Sequence, residues 1–200
     1  MKKLIFFLVI TGLFSCENTN DTNATDEKQE QETSVTSAKD LPYLLSRVKQ
    51  LEDSITSEVS KNPSKRIGSF VFLDLINRLK DVVNNFPKAP ETAPCLFKLH
   101  MKYGEMKAYK ESIAYGDTLM QRFPDFKDRD LVLQSIATTY DIFVKPRDAE
   151  KVSFYLEQLL QSKTLSEEEK DEIKTRLKFI NLDVIAYRLK QYKAKTKSSS

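Results

Sequence analysis

Tryptophan is absent from the 200 residues, histidine occurs once, cysteine twice, and glycine only four times beside seven prolines. Each scarcity excludes something. Without Trp there is no sugar-binding platform of exposed indoles. The single His100 has no second imidazole with which to share a metal, and no Ser or Cys motif points to it as a base, so a helix-packing or solvent-facing role is expected for it. Few glycines and prolines argue against a turn-rich all-β fold. Charged residues make up 30% of the chain and hydrophobic ones 40%, the balance of a soluble protein. The longest apolar run, residues 4–14, is interrupted only by Thr11 and Gly12 and falls short of the roughly 20 residues needed to span a bilayer.

That run follows Met1, Lys2 and Lys3, a positive start that makes residues 1–15 read as an export signal. Its end, Leu13-Phe14-Ser15-Cys16, resembles the lipobox of bacterial lipoproteins: an aliphatic residue three before the cysteine, a small one immediately before it, then the cysteine that takes the lipid. The resemblance implies that Cys16 becomes the first residue of the mature protein and carries several acyl chains, palmitate among them. Several chains make a stable anchor where one is marginal. Acylation of Cys16 would leave Cys95 as the sole thiol and exclude an internal disulfide even in an oxidising compartment. Cys95 sits in Ala93-Pro94-Cys95-Leu96-Phe97 at the start of an apolar helical pattern, and reads as a small buried hydrophobe rather than a reactive thiol.

Residues 16–40 are rich in Asn, Thr, Gln and Glu, with Val35 their only large aliphatic side chain. Too little apolar surface is available to offset ordering entropy, so this stretch is expected to be a disordered tether. It holds seven acids and two bases, a net charge of −5, whereas residues 41–200 carry +6. As a flexible coil it would reach about 25–30 Å, enough to hold a small domain clear of a membrane surface.

From residue 41 onward every strong pattern is helical. Leu41, Leu44, Leu45, Val48, Leu51 and Ile55 recur at helical steps, with Asp40 as a cap, Pro42 in the first turn and Asn62-Pro63 as a stop. A second helix over about 69–86 is expected to place Phe70, Leu73, Ile76, Leu79, Val82 and Val83 on one face. No alternation is long enough to indicate a strand, and the fold class is all-α. An internal repeat follows: Phe86-Pro87 and Phe123-Pro124 lie 37 residues apart, as do Leu96 and Leu133, Leu99 and Ile136, and Tyr103 and Tyr140. Each unit reads as two helices closed by a stop, about 92–105 and 108–123 in the first. Such a hairpin cannot bury both faces alone, so stacked copies would supply a continuous core.

These residues resemble tetratricopeptide repeats of exported bacterial lipoproteins. Leu96, Leu99 and Tyr103, then Tyr109 to Tyr115 with Leu119 and Phe123-Pro124, stand at the positions of the repeat's two helices. Leu133, Ile136, Ala137 and Tyr140, then Val152, Tyr155 and Leu159, repeat them with a turn that is three residues longer. The departures are Ser112 and Val152 at positions where Ala is usual, Gly116 where a second large residue is common, and His100 where the helices approach. The resemblance implies a short helical-hairpin solenoid of about seven helices, its concave face offered to a protein or peptide. Carried over by repeat position, that face comprises Phe97, Met101 and Glu105 from one unit and Gln134, Thr138 and Asp141 from the next. Phe97 and Met101 have core packing against the preceding helices as their alternative.

Ser166-Glu167-Glu168-Glu169 forms a capping box, and Ile173, Leu177, Ile180, Val184 and Tyr187 then step by four and three, the stripe of a long C-terminal helix capping the solenoid. Phe179, Leu182, Ile185 and Leu189 add a second apolar face, a seam on which a second copy would form a homodimer or a partner helix would pack. After Asp183 there are no acids, while Arg188, Lys190, Lys193, Lys195 and Lys197 make a basic tail. It reads as a solvated helix end complementing the helix dipole, with contact to anionic lipid or glycan as the alternative; export removes nucleic acid from consideration. The sequence thus describes a non-enzymatic, lipid-anchored scaffold of the cell envelope, expected at the outer membrane facing the periplasm. It calls for an envelope protein or peptide as partner, requires no cofactor or metal, and serves as an accessory of envelope assembly, secretion or transport. The alternatives are a small ligand-binding lipoprotein, and an enzyme working with carboxylates such as Glu105 and Asp141.

Overall fold

A computed structural model describes residues 40–62 and 69–198; the side chains of Ser69, Ala194, Lys195, Lys197 and Ser198 fall outside that description, as do the export signal, Cys16 and all but the end of the tether. The described residues form eight helices and no strand: α1 (Leu41–Lys61), α2 (Ser69–Asn85), α3 (Thr92–Glu105), α4 (Tyr109–Arg122), α5 (Arg129–Thr138) continued by a π-helical turn (Thr139–Phe143), α6 (Ala149–Leu160), α7 (Glu167–Lys178) and α8 (Val184–Ser198). From α1 to α7, apart from the turn, each helix packs on the next along the chain.

Local chemistry sets the boundaries. Asp40 accepts from the Tyr43 amide at 2.7 Å and caps α1, with Pro42 in the first turn, where its missing N–H costs nothing. The box at the start of α7 is complete: Ser166 Oγ accepts from the Glu169 amide at 3.2 Å while Glu169 Oε2 accepts from the Ser166 amide at 2.8 Å. The Ser166 amide and hydroxyl, both donating to its carboxylate, hold the Glu169 carboxyl below its ordinary pKa. Between α2 and α3 the fully buried Thr92 donates its hydroxyl to the Phe86 carbonyl at 2.5 Å and closes the Phe-Pro corner.

The core runs through the helices from Leu44 and Val48 of α1, by way of Leu79, Val82, Leu96, Leu99, Leu119, Val132, Leu133 and Ile136, to Leu159 of α6. In α2 the buried face is Leu75, Ile76, Leu79, Val82 and Val83, while Phe70 is 88% exposed and Leu73 is exposed. The expected face for α2 therefore needs correction. Steps of three lag the helix by about 60° each, so the series 70, 73, 76, 79, 82 winds round the helix, and Phe70 ends up across from the core.

Positions 37 apart behave alike. Leu96 and Leu133 are fully buried, as are Leu99 and Ile136. Tyr103 stacks on Tyr115 with centroids 5.4 Å apart, and Tyr140 on Tyr155 at 5.8 Å. The three additional residues of the second unit divide between one absorbed in the π-helical turn and two in the loop before α6. Tyr155 then donates to Asp117 Oδ1 at 2.6 Å, tying α6 to α4, and both burial and this bond push its phenol pKa upward.

The long C-terminal helix is broken, giving eight helices where about seven were expected. The chain leaves helical geometry between Lys178 and Val184 because two guanidinium groups take the carbonyls of that stretch. Arg176 donates to the Phe179 and Leu182 carbonyls at 2.8 and 2.9 Å, and Arg147 to the Ile180 carbonyl at 2.7 Å. Asp183 then starts α8 by accepting from the Ile185 and Ala186 amides at 2.9 and 2.8 Å. No described helix is long and apolar enough to cross a membrane.

Candidate functional site

The centre of the molecule is a polar knot among α3, α4 and α5. His100, fully buried, lies with Nδ1 2.9 Å from the Ser112 carbonyl and Nε2 3.0 Å from Ser135 Oγ. A carbonyl only accepts, so Nδ1 carries the proton and Nε2 accepts from Ser135. Ser112 Oγ in turn donates to the His100 carbonyl at 2.8 Å. Burial depresses the imidazole pKa and keeps the ring neutral. Facing it is Gly116, where a Cβ would stand 3.0 Å from His100 Nδ1 and 2.8 Å from Ile136 Cδ1. The three residues fit one another: His100 of α3 occupies the space that a side chain at Gly116 of α4 would need, and Ser112 satisfies the ring. Of the two roles expected for His100, helix packing or a solvent-facing position, its complete burial fits the first.

Above this knot a groove of about 330 Å³ opens between α3 and α5. His100, Ser112 and Ser135 form its floor. Met101 and Glu105 of α3 line one side, Gln134 and Thr138 of α5 the other, and Leu131 and Phe143 stand on its rim. Met101, Leu131 and Phe143 are all exposed, and Phe143 stacks on Tyr109 of α4 at 4.7 Å between centroids. A second hollow of about 450 Å³ shares Gln134 and Thr138 and continues to Asp141, Arg176, Tyr187 and Arg188.

Four of the six residues expected on the partner face, Met101, Glu105, Gln134 and Thr138, meet in the first groove. Phe97 does not; it is half-buried against the core with its ring 5.5 Å from Phe126, in the loop before α5. Asp141 lines the second hollow but is already engaged. With only 11% of its side chain exposed, it accepts from Arg147 Nε at 2.5 Å and Arg176 at 2.9 Å, joining the π-helical turn to the α7–α8 corner. Glu105 is exposed and paired with Lys102 at 3.0 Å, so the two carboxylates considered for chemistry line different hollows. Among the described residues no three metal-ligating side chains converge. Cys95 is buried, and burial pushes its thiol up to about 11.

Of the basic tail, Arg188 lines the second hollow, Lys190 Nζ lies 4.0 Å over the Phe179 ring, and Lys193 is exposed. The side chains of Lys195 and Lys197 lie outside the described residues, as does Cys16. The apolar seam is divided by the helix break: Ile185 and Leu189 are exposed, while Phe179 and Leu182 are half-buried at the corner. Sequence reasoning missed Leu131 and Phe143, although Leu131-Val132-Leu133 holds one more apolar residue than a single helix face buries. Comparisons with models of known protein families, with curated proteins and with solved structures find no match for the chain.

Proposed function

We propose that the chain is a lipid-anchored scaffold of the cell envelope that holds a protein or peptide partner in the groove between α3 and α5. The observation that carries this reading is the groove's make-up. Three exposed apolar side chains, Met101, Leu131 and Phe143, ring a strip of Glu105, Gln134 and Thr138. Apolar anchors around a few orienting polar groups are what a segment of partner chain needs, and an isolated domain gains nothing by keeping such a cluster wet. The resemblance to tetratricopeptide repeats supports the same assignment, with α3–α4 and α5–α6 as successive units of a short solenoid and the groove on the face of their first helices. In this reading acylated Cys16 ties the scaffold to the outer membrane facing the periplasm, where it serves envelope assembly, secretion or transport.

The test replaces Met101, Leu131 and Phe143 with Ser together, outside the buried core. Recovery of a specific envelope partner from crosslinked cells is expected to fall at least tenfold, as loss of two or more apolar anchors implies. Unchanged recovery with the variant folded would refute the assignment. A small ligand is the second reading, favoured by volumes of about 330 and 450 Å³, inside the usual range for ligand sites. It predicts that an apolar small molecule raises the melting temperature of the chain and that the triple variant abolishes this rise.

A further inference from the structure

Helix α8 has two apolar faces and only one is used. Val184, Tyr187 and Gln191 turn toward the domain, where Tyr187 is buried beneath the Arg176 guanidinium at 4.8 Å. At about 100° per residue, Ile185, Leu189 and Tyr192 fall within about 60° of one another and roughly 130° from that face. They are 69%, 56% and 68% exposed. Arg188 and Lys193 flank this stripe, roughly 70° to either side, and from residue 184 to residue 200 the chain has five bases and no acid.

We propose that α8 lies in the plane of an anionic bilayer surface, with Ile185, Leu189 and Tyr192 inserted at the headgroup boundary and Arg188 and Lys193 on lipid phosphates. An apolar stripe bordered by long cationic side chains is how an interfacial helix divides its contacts between acyl chains and headgroups, and Tyr is favoured at that depth because one end of it is polar. The other occupants fit less well. A second copy would bring a like-charged stripe against this one. The chain's own acidic tether matches the charge, but Val35 is its only large aliphatic residue, leaving nothing to cover the stripe. An anionic bilayer supplies both the charge and the apolar phase. This inference uses a face separate from the groove and holds whatever the groove binds.

The test uses the full chain with Cys16→Ser and Leu189→Cys, the added thiol bearing an environment-sensitive dye while Cys95 stays buried. Sedimentation with the vesicles records how much chain is bound, and the dye then reports whether α8 of the bound chain is inserted. On vesicles of phosphatidylcholine and phosphatidylglycerol in equal parts the dye is expected to shift to shorter wavelength and to be reached by a quencher carried on acyl chains. On pure phosphatidylcholine it is expected to remain in water, as is a dye at Gln121→Cys on either vesicle. Each of Arg188→Gln and Lys193→Gln should lower the ratio of inserted to free α8 about fivefold, and salt should act the same way. A dye at 189 that stays aqueous on anionic vesicles overturns the proposal. So does an equal shift on both vesicles, or a shift that grows with protein concentration without lipid, which would assign the stripe to a second copy.

Discussion

Gly116→Ala adds one methyl group where α4 meets α3 and α5 with no space for a Cβ. Its Cβ would stand 2.8 Å from Ile136 Cδ1, 3.3 Å from Ile136 Cγ1 and 3.0 Å from His100 Nδ1, where about 3.5–4.0 Å is the comfortable separation of carbon atoms. Either neighbour can yield only by moving against the groups that surround it. Ile136 is fully buried, and His100 is held at both ring nitrogens. Alanine gains about 1 kcal/mol of helix propensity over glycine, and overpacking costs about 1–3 kcal/mol. With the middle of that range the net loss is about 1 kcal/mol, a fall of about 2–4 °C in melting temperature for a domain of this size. Gly104→Ala is the control: its Cβ would meet only Ser112 Oγ, at 3.4 Å, so a gain of up to about 1 kcal/mol is expected. Ile136→Val, which deletes the clashing Cδ1, should cost about 1 kcal/mol alone yet be partly compensated in combination with Gly116→Ala, with a coupling of about 1 kcal/mol. Urea unfolding of the four proteins of that cycle, followed by circular dichroism, measures each quantity. If Gly116→Ala stabilises as Gly104→Ala does, or the cycle is additive, the close packing of α3, α4 and α5 described above is wrong.

Burial lowers the folded-state pKa of His100 beneath its ordinary 6.5, so the unfolded chain takes up this proton first. The contribution is full above about pH 6.5 and declines as pH falls below it; urea midpoints between pH 7 and 5 should show a slope that His100→Gln removes. Asp141→Asn leaves Arg147 and Arg176, 14% and 12% exposed, without their carboxylate, for a loss of about 3 kcal/mol. Hydrogen exchange should rise in α7, α8 and the π-helical turn but not in α1 or α2, and uniform loosening would contradict the clasp. Ser166→Ala removes the α7 cap and should cost about 1 kcal/mol, visible as faster exchange in the first turn of α7 alone.

The features that could be read from the sequence are those whose causes lie close together in it. Asp40 and Ser166 find their partners three residues away, so the cap motifs located α1 and α7. The 37-residue repeat located α3 to α6, because equivalent residues meet equivalent partners. The break at residues 179–183 could not be read in this way. Ile173, Leu177, Ile180, Val184 and Tyr187 keep helical spacing across it, and what opens the backbone there is Arg147, 33 residues away from the carbonyl it takes, together with Arg176 anchored on Asp141, 35 residues from it. Of the two readings open for Phe97, the structure fits core packing, and the sequence could not decide between them because Phe126, which covers its ring, lies in a loop outside the repeat pattern. Asp141 was expected on the partner face by position alone, and its two arginines were too distant in sequence to be assigned to it. Of the groove, the α3 and α5 sides followed from the repeat, whereas Leu131 has only Pro94 as its counterpart 37 residues earlier, and Phe143, whose counterpart is Met106, stands in a π-helical turn that the first unit lacks.

In the proposed function it is this groove, rather than the apolar side chains exposed elsewhere on α1, α2 and α6, that meets a protein or peptide partner. Photo-crosslinking amino acids placed singly at Met101, Leu131 and Phe143, and for comparison at Val59, Phe70 and Phe154, which are also exposed, test it most directly in intact cells. One discrete crosslinked species shared by the three groove positions and absent from the other three is expected. Equal crosslinking at both sets, or none from the groove, would contradict it.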